Sequence, residues 1–276
     1  MSITLRNISY SYNRGTSAQT DAIENISFEI RKGKFTGIVG DSGAGKSTLI
    51  RLLNGLLKPD SGTITIDGMN AAIPEVKKIV GVLFQNPEKQ LFCTTGYEDI
   101  AFGPSNMELD ENEIHQRVVE AGELVGIDQN QLNKSPFKLS GGEQRRLAMA
   151  GVLATRPEYL ILDEPTSGMD AEGRQTFLKY LQAVHSRGTT VVMVSHQISE
   201  ILSVAEEVIL IRKGKVGFTG STEDFITRSR SHVPPITSLM RNIKQRGFDV
   251  DNAVFTVDDA LSQILKCRDN RKGDKR

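Results

Sequence analysis

The sequence predicts an α/β protein built around a mainly parallel β-sheet. Three observations carry that expectation. Runs at about 159–163, 190–194 and 207–211 are short and continuously apolar, as strands covered on both faces must be. A helical stretch near 171–187 separates the first two, and this β–α–β alternation sets successive strands parallel. Upstream, Lys34-Phe35-Thr36-Gly37-Ile38-Val39 is another strand and runs directly into the glycine-rich loop Gly40-Asp41-Ser42-Gly43-Ala44-Gly45-Lys46-Ser47-Thr48.

The remaining elements follow along the chain. Segments at about 3–10 and 26–30 are strand-like, and Thr48 to Leu57 is apolar at helical spacing. Pro59-Asp60-Ser61-Gly62 is a turn, Thr63 to Ile66 a strand closed by Asp67-Gly68, and Ile79 to Phe84 a buried strand ending at Gln85-Asn86-Pro87. From about 98 to 152 the pattern is helical and more polar. One helix starts at Asp110-Glu111-Asn112-Glu113, with acids in its first turn. A second starts at Ser140, runs through Arg145 to Ala150 and stops before Pro157. The expected organisation is a core of about 1–86 plus 157–232, carrying a helical insertion at about 87–156. Pro234-Pro235 marks a break before a small helical appendage, 233–276, with apolar positions at Leu239, Ile243, Phe248, Val257, Ala260 and Leu261. Its last stretch (Lys266, Arg268, Arg271, Lys272, Lys275, Arg276) reads as a solvated, frayed basic tail.

Composition narrows the function classes. The chain has 276 residues, 38% hydrophobic and 25% charged, with 34 Lys+Arg against 34 Asp+Glu. A net charge of zero argues against wholesale nucleic-acid binding. Cys93 and Cys267 lie far apart without metal-ligand spacing, as expected of unpaired thiols in a reducing cytosol. The N-terminus lacks a signal-peptide core, and no apolar run approaches the roughly 20 residues that span a bilayer. A membrane role would therefore require a partner.

The loop from Gly40 to Ser47 fits G-x-x-x-x-G-K-[ST] between a strand and a helix, the context that a phosphate-binding loop requires. Glycines at 40, 43 and 45 let backbone N–H groups, with those of Ser42 and Thr48, close around phosphates at a helix N-terminus. Lys46 is expected to reach the β- and γ-phosphate oxygens, and the Ser47 hydroxyl to ligate Mg²⁺. Tyr159-Leu160-Ile161-Leu162-Asp163-Glu164 is a buried strand ending in two carboxylates, costly to bury without a reason. Asp163 would hold Mg²⁺ through water. Glu164 would face the attacking water as general base or positioner.

Over residues 1–232 the chain resembles the nucleotide-binding subunits of ABC transporters. It carries Leu139-Ser140-Gly141-Gly142-Glu143 just upstream of the Asp163 strand, as that family's signature does. Gln85 stands where the Q-loop glutamine falls, Asp170 in the D-loop, and His196 at the switch-histidine position. Met169 replaces the commoner leucine. The resemblance implies a P-loop NTPase (RecA-like) core with an N-terminal antiparallel β subdomain, a helical subdomain and a C-terminal helical extension. It implies ATP and Mg²⁺ as cofactors and a head-to-tail dimer, in which Ser140 and Gly142 of one subunit contact the γ-phosphate held by Lys46 of the other. Gln85 would contact Mg²⁺ or the attacking water, and His196 the γ-phosphate. Tyr12, in competition with Tyr10, would stack on adenine. Ser140 is also locally an ordinary helix N-cap, with Glu143 completing a capping box.

Within the family, Phe84-Gln85-Asn86-Pro87-Glu88-Lys89-Gln90-Leu91-Phe92 and Glu98-Asp99-Ile100-Ala101-Phe102-Gly103-Pro104 are similar to the ATPases of energy-coupling-factor (ECF) importers of vitamins and transition metals such as cobalt and nickel. So are Arg145 to Ala154 and the C-terminal extension, which in that group helps two ATPases dimerise. Gly96 departs from the β-branched residue usual there. About 94 residues separate positions 46 and 140, too few for the long coiled coil of DNA-repair relatives. The resemblance implies a second ATPase, a transmembrane coupling subunit whose helix enters a groove around Gln85–Asp99, and a membrane-embedded substrate-binding subunit. The chain would sit peripherally on the cytoplasmic face of the cell membrane, without nucleic acid. Glu98 and Asp99 would pair with arginine on that coupling helix or simply cap the local helix. The alternatives are the ATPase of a conventional binding-protein-dependent importer and a soluble ABC ATPase outside transport.

Overall fold

The computed structural model describes residues 1–229 and 232–273. Two sheets share one body. β1 (Ser2–Tyr12) and β2 (Thr20–Arg31) form an antiparallel hairpin, and β1 pairs on its other side with β4 (Ser61–Ile66), which pairs with β5 (Met69–Asn70). The second sheet is built from β3 (Phe35–Val39), β6 (Val80–Leu83), β7 (Tyr159–Asp163), β8 (Thr190–Val194), β9 (Glu207–Arg212) and β10 (Lys215–Ser221), in the order β10-β9-β3-β8-β7-β6. All neighbours are parallel except β10 against β9. This is the parallel core with an N-terminal antiparallel sheet that the sequence predicts.

The central strands are apolar throughout because both faces are covered. Leu160, Leu162, Val191 and Met193 face a helical core, whereas Tyr159, Ile161, Val192 and Val194 pack toward the antiparallel sheet. α1 (Lys46–Leu53) packs on that second side. It stops at Leu53 rather than near Leu57, because Asn54 caps it and Gly55, at φ 70°, turns the chain. α2 (Pro74–Ile79) leads into β6. Between β6 and β7 the chain is helical: α3 (Gly96–Ser105), α4 (Glu111–Leu124), α5 (Gln129–Leu132) and α6 (Gly141–Leu153), with single 3₁₀ turns at Pro87–Gln90 and Pro136–Lys138. α7 (Ala171–Ser186) bridges β7 and β8, α8 (Ile198–Val204) bridges β8 and β9, and α9 (Thr222–Arg228) follows β10.

Three elements carry no signal that a sequence pattern would reveal. β10 is an edge strand whose residues are exposed or only half-buried and include Gly217 and Gly220, so it has no apolar run. α2 and α8 have 6 and 7 residues, too short for a helical period to stand out.

The C-terminal segment forms α10 (Pro235–Gln245) and α11 (Val257–Gly273) around a core of its own: Met240, Val250, Val254 and Ala260. The buried Thr237 hydroxyl donates to the Val254 carbonyl at 2.7 Å. The Arg241 guanidinium donates to the carbonyls of Ser229 (2.8 Å) and Ile226, tying α10 to the end of α9. The basic stretch differs from expectation. Lys266, Arg268, Arg271 and Lys272 continue the backbone of α11 instead of a frayed tail, since Lys and Arg are good helix formers. Lys275 and Arg276 lie outside the described residues.

Candidate nucleotide site and signature cleft

β3 delivers the chain to the glycine-rich loop, and α1 leaves from it. Gly45 is the residue before α1 and sits at φ 102°, where a Cβ would meet the Ala22 carbonyl at 2.4 Å. Only glycine allows both that backbone and that approach of β2. The Lys46 amine donates to the carbonyls of Gly40 (2.8 Å) and Asp41 (2.9 Å), leaving one of its three N–H groups free of them.

A cavity of about 590 Å³ opens over this loop, lined by Ser42, Gly43, Gly45, Lys46, Ser47, Thr48, Tyr12, Gln85, Glu164 and His196. The fold thus brings together loop residues, the end of β1, the end of β6 and the segments after β7 and β8. Tyr12 Oη lies 3.2 Å from Thr48 Oγ1, and its ring meets Tyr10 edge-on at 5.0 Å between centroids. Tyr10 packs into the core beneath and does not line the cavity. The start of β2 (Thr20, Asp21, Ala22) forms a wall that the motifs do not announce.

Asp163 ends β7 and is buried. Burial, with help from the Glu164 charge, pushes its carboxyl above the usual carboxylate range, against the Ser47 hydroxyl and the Lys46 and Arg51 charges, which pull it down. Its Oδ1 is buried without a hydrogen-bond partner. A buried carboxylate oxygen left open, next to a serine hydroxyl, is the oxygen donor set that Mg²⁺ prefers. Glu164 sits at φ 50°, an uncommon backbone for a non-glycine residue and one found where a side chain must be aimed. Its amide donates to the Val194 carbonyl at 2.9 Å, and its Oε2 lies 2.6 Å from His196 Nδ1.

Ser140, Gly142 and Asp170 are elsewhere. Gly142 and Asp170 line a separate cleft of about 500 Å³ with Gly141, Arg145 and Arg146. Ser140 and Glu143 form the expected capping box of α6: the Ser140 amide donates to Glu143 Oε2 at 2.7 Å, and the Glu143 amide to Ser140 Oγ at 3.4 Å. Asp170 caps α7 by accepting from the Gly173 amide at 2.7 Å. Arg145 reaches across the cleft to Glu88 (3.4 Å) and to the Ser167 carbonyl.

A third, apolar groove of about 400 Å³ runs between β6, α3 and α6. Phe92 and Phe102 stand on it, mostly exposed and edge-to-face at 5.0 Å. The two neighbouring acids serve backbone amides. Glu98 completes a capping box with Thr95, and Asp99 accepts from the amides of Phe92 (3.2 Å) and Cys93 (3.1 Å). Gly96 fits because a Cβ there would press on the Gln131 carbonyl and Leu147 Cδ1, each at 3.1 Å. Among the described residues, no helix is long and apolar enough to cross a membrane.

Comparison with known proteins agrees with this fold. Residues 23–167 match the model of the ABC transporter family. The chain is 44% identical over 275 residues to a Methanosarcina acetivorans protein described as an ABC transporter ATP-binding protein, covering 100% of this chain and 97% of that one. It is 42% identical over 278 residues to the energy-coupling factor transporter ATP-binding protein EcfA2 of Caldanaerobacter subterraneus subsp. tengcongensis, covering 96% and 97%. Its fold matches CbiO1 of Clostridium perfringens, part of the ABC transporter complex CbiONQ, with a TM-score of 0.76 and 32% identity over 88% of this chain and 94% of that one. It also matches a dimeric ATP-binding cassette bound to ADP and Pi, with a TM-score of 0.71 and 27% identity over 80% and 98%. The chain belongs to the ABC transporter ATP-binding family: it is an ATP-binding ATPase of that type, similar to the ATPase subunits of energy-coupling factor transporters.

Proposed function

We propose that this chain hydrolyses ATP as a head-to-tail dimer to power an ECF-type importer of a vitamin or a transition-metal ion such as cobalt or nickel. The observation that carries the chemistry is the single cavity joining Lys46, Ser47, Gln85, Glu164 and His196. The loop amides and Lys46 bind the phosphates, and Tyr12 stacks on the adenine. Ser47, Asp163 and Gln85 would hold Mg²⁺, which would supply positive charge against the phosphates. Glu164 accepts hydrogen bonds from the attacking water and takes or orients its proton. His196 Nδ1 stands against Glu164, and an Nε2–H would donate to the γ-phosphate.

The dimer reading draws on Gly141 and Gly142. Each costs helix stability relative to alanine. Yet a Cβ at Gly141 would meet nothing within 4 Å, and one at Gly142 only the tip of Arg146 at 4.0 Å. This chain's own packing requires neither glycine; close approach by a nucleotide on a second subunit does. The proposed division is an ATPase domain at 1–232, with its helical subdomain at about 87–156, and an extension at 233–276 that joins two ATPases. Leu239, Phe248, Val257, Leu261 and Leu265 are exposed apolar residues there. The Phe92–Phe102 groove receives the coupling helix of a transmembrane subunit, which also contacts a membrane-embedded binding subunit. The ATPase then sits on the cytoplasmic face of the membrane.

The test is an affinity pull-down of the tagged full chain from native membranes in mild detergent, read by mass spectrometry. One multi-span coupling protein with a small membrane-embedded binding subunit is expected. A paired permease without such a subunit would indicate a conventional importer, and recovery of no membrane protein would refute the transport role.

A further inference from the structure

Between the segments that carry Glu164 and His196 lies a buried carboxylate that the chemistry above leaves unused. Glu200 stands in the first turn of α8 and is 8% exposed. Its Oε2 accepts from the Thr166 hydroxyl at 2.6 Å and, more loosely, from the Ser195 hydroxyl at 3.5 Å. Its Oε1 has no hydrogen-bond partner and lies 3.8 Å from Arg174 Nη1 on α7. Arg174 Nη1 donates to Gln197 Oε1 at 2.7 Å, and the Gln197 amide donates to Ser195 Oγ at 3.0 Å. Thr166 is two residues past Glu164, and Ser195 and Gln197 flank His196.

A half-satisfied buried carboxylate is a poor way to stabilise a fold, and an apolar side chain would fill the same space at lower cost. What it does supply is a bond to each of two loops at once. Those loops hold the 2.6 Å contact between Glu164 and His196. That contact has little packing of its own, because the His196 side chain is 56% exposed and Glu164 sits on left-handed backbone.

We propose that Glu200 is a positioning residue for hydrolysis. Its carboxylate clamps the segment after β7 to the segment after β8 and so sets the Glu164–His196 geometry. Arg174 extends the clamp to the start of α7, whose cap is Asp170, so displacement of that end is felt at the histidine. The inference rests on the roles proposed for Glu164 and His196.

The experiment compares ATPase Michaelis curves, binding of a fluorescent ATP analogue and thermal melts for Glu200→Ala, Glu200→Gln, Thr166→Val and the Glu200→Ala/Thr166→Val pair, with Glu164→Gln alongside. Misplacing a reacting group by about 1 Å costs on the order of 10²-fold, so Glu200→Ala is expected to lower kcat by roughly 30–100-fold with KM and nucleotide affinity within about twofold. Thr166→Val lowers kcat less, and the pair is no worse than Glu200→Ala alone, because both remove one bond. Glu200→Gln, whose carbonyl still accepts from Thr166, recovers most of kcat. Additive losses in the pair, KM rising in step with the fall in kcat, or equal losses for Ala and Gln overturn the proposal. If Glu200→Ala does not fold, Thr166→Val and Glu200→Gln decide by the same kcat–KM split. Wild-type turnover in Glu164→Gln overturns the site reading itself; an inactive Glu164→Gln beside a fully active Glu200→Ala overturns only the clamp.

Discussion

The nucleotide cavity and the signature cleft are similar in size, about 590 and 500 Å³, but they are made of different material. The first holds a lysine, the carboxylate of Glu164, a histidine and a phosphate loop whose glycine at 45 is required by the fold around it. The second is an open helix start whose glycines the fold around it does not require, beside two arginines, one of which keeps a buried Nε without a partner. In the proposed function the first cleft runs the reaction, and the second offers its backbone to a phosphate held by another subunit. A glycine that the chain's own fold requires has neighbours where its Cβ would stand, as at Gly45, and one that it does not require has open space, as at Gly141.

The largest expected effect is at Lys46. Lys46→Ala removes the loop cation proposed to bind the phosphates, and hydrolysis should fall by roughly 10³-fold or more, with nucleotide binding weakened in the same titration. Turnover within tenfold of wild type would break the assignment of the first cleft. Gly142→Ala sharpens the contrast because it separates the two readings by sign. Alanine there should stabilise the isolated chain by about 0.5–1 kcal/mol in a denaturant melt. ATP binding at low protein concentration should be unchanged, while hydrolysis at high concentration drops. Loss of stability would mean that the glycine serves this chain's own fold after all.

Much of this was legible because the relevant residues are fixed by local chemistry. The run from Gly40 to Thr48 needs only a strand before it and a helix after it, and Ser140 with Glu143 is a capping box on any backbone. Contacts made across the fold were not. Nothing in the sequence places His196 against Glu164. No motif singles out Glu200, whose burial comes from α8 lying on the sheet. β10 stayed hidden because an edge strand with few buried side chains carries no apolar period.

A middle-sized effect lies at Asp163 and is a matter of stability as much as rate. Burial raises its folded pKa above the ordinary 3.8, so the charged carboxylate opposes folding at neutral pH. Asp163→Asn should therefore stabilise the metal-free chain by roughly 1–3 kcal/mol near pH 7.5 while lowering Mg²⁺-dependent hydrolysis by roughly 10²-fold. The sign of the pH dependence follows from the raised pKa. As pH falls through the folded value, wild-type Asp163 takes up a proton and the penalty disappears, so the advantage of asparagine shrinks toward pH 4. Thermal melts of both proteins in chelator across that range measure it. An advantage that is constant with pH would remove the buried charge as its cause.

The smallest effect tests the far end of the nucleotide cavity, where two tyrosines compete for one role. Tyr12 lines the cavity and Tyr10 does not, although the rings touch at 5.0 Å. Removing an aromatic platform costs on the order of 1–3 kcal/mol per stacked base, so Tyr12→Ala should weaken ATP binding by roughly 5- to 150-fold. Tyr12→Phe keeps the platform and loses only the 3.2 Å contact with Thr48, a part-buried bond within the protein rather than one to the nucleotide. The affinity for ATP should then change by less than about threefold, with kcat untouched. GTP measured in parallel adds a control, since stacking on a π-face is tolerant of base identity and the Ala variant should lose both nucleotides alike. If Tyr10→Ala weakened binding while Tyr12→Ala did not, the adenine would lie over the other ring, and the cavity would extend deeper beneath the hairpin than its lining shows.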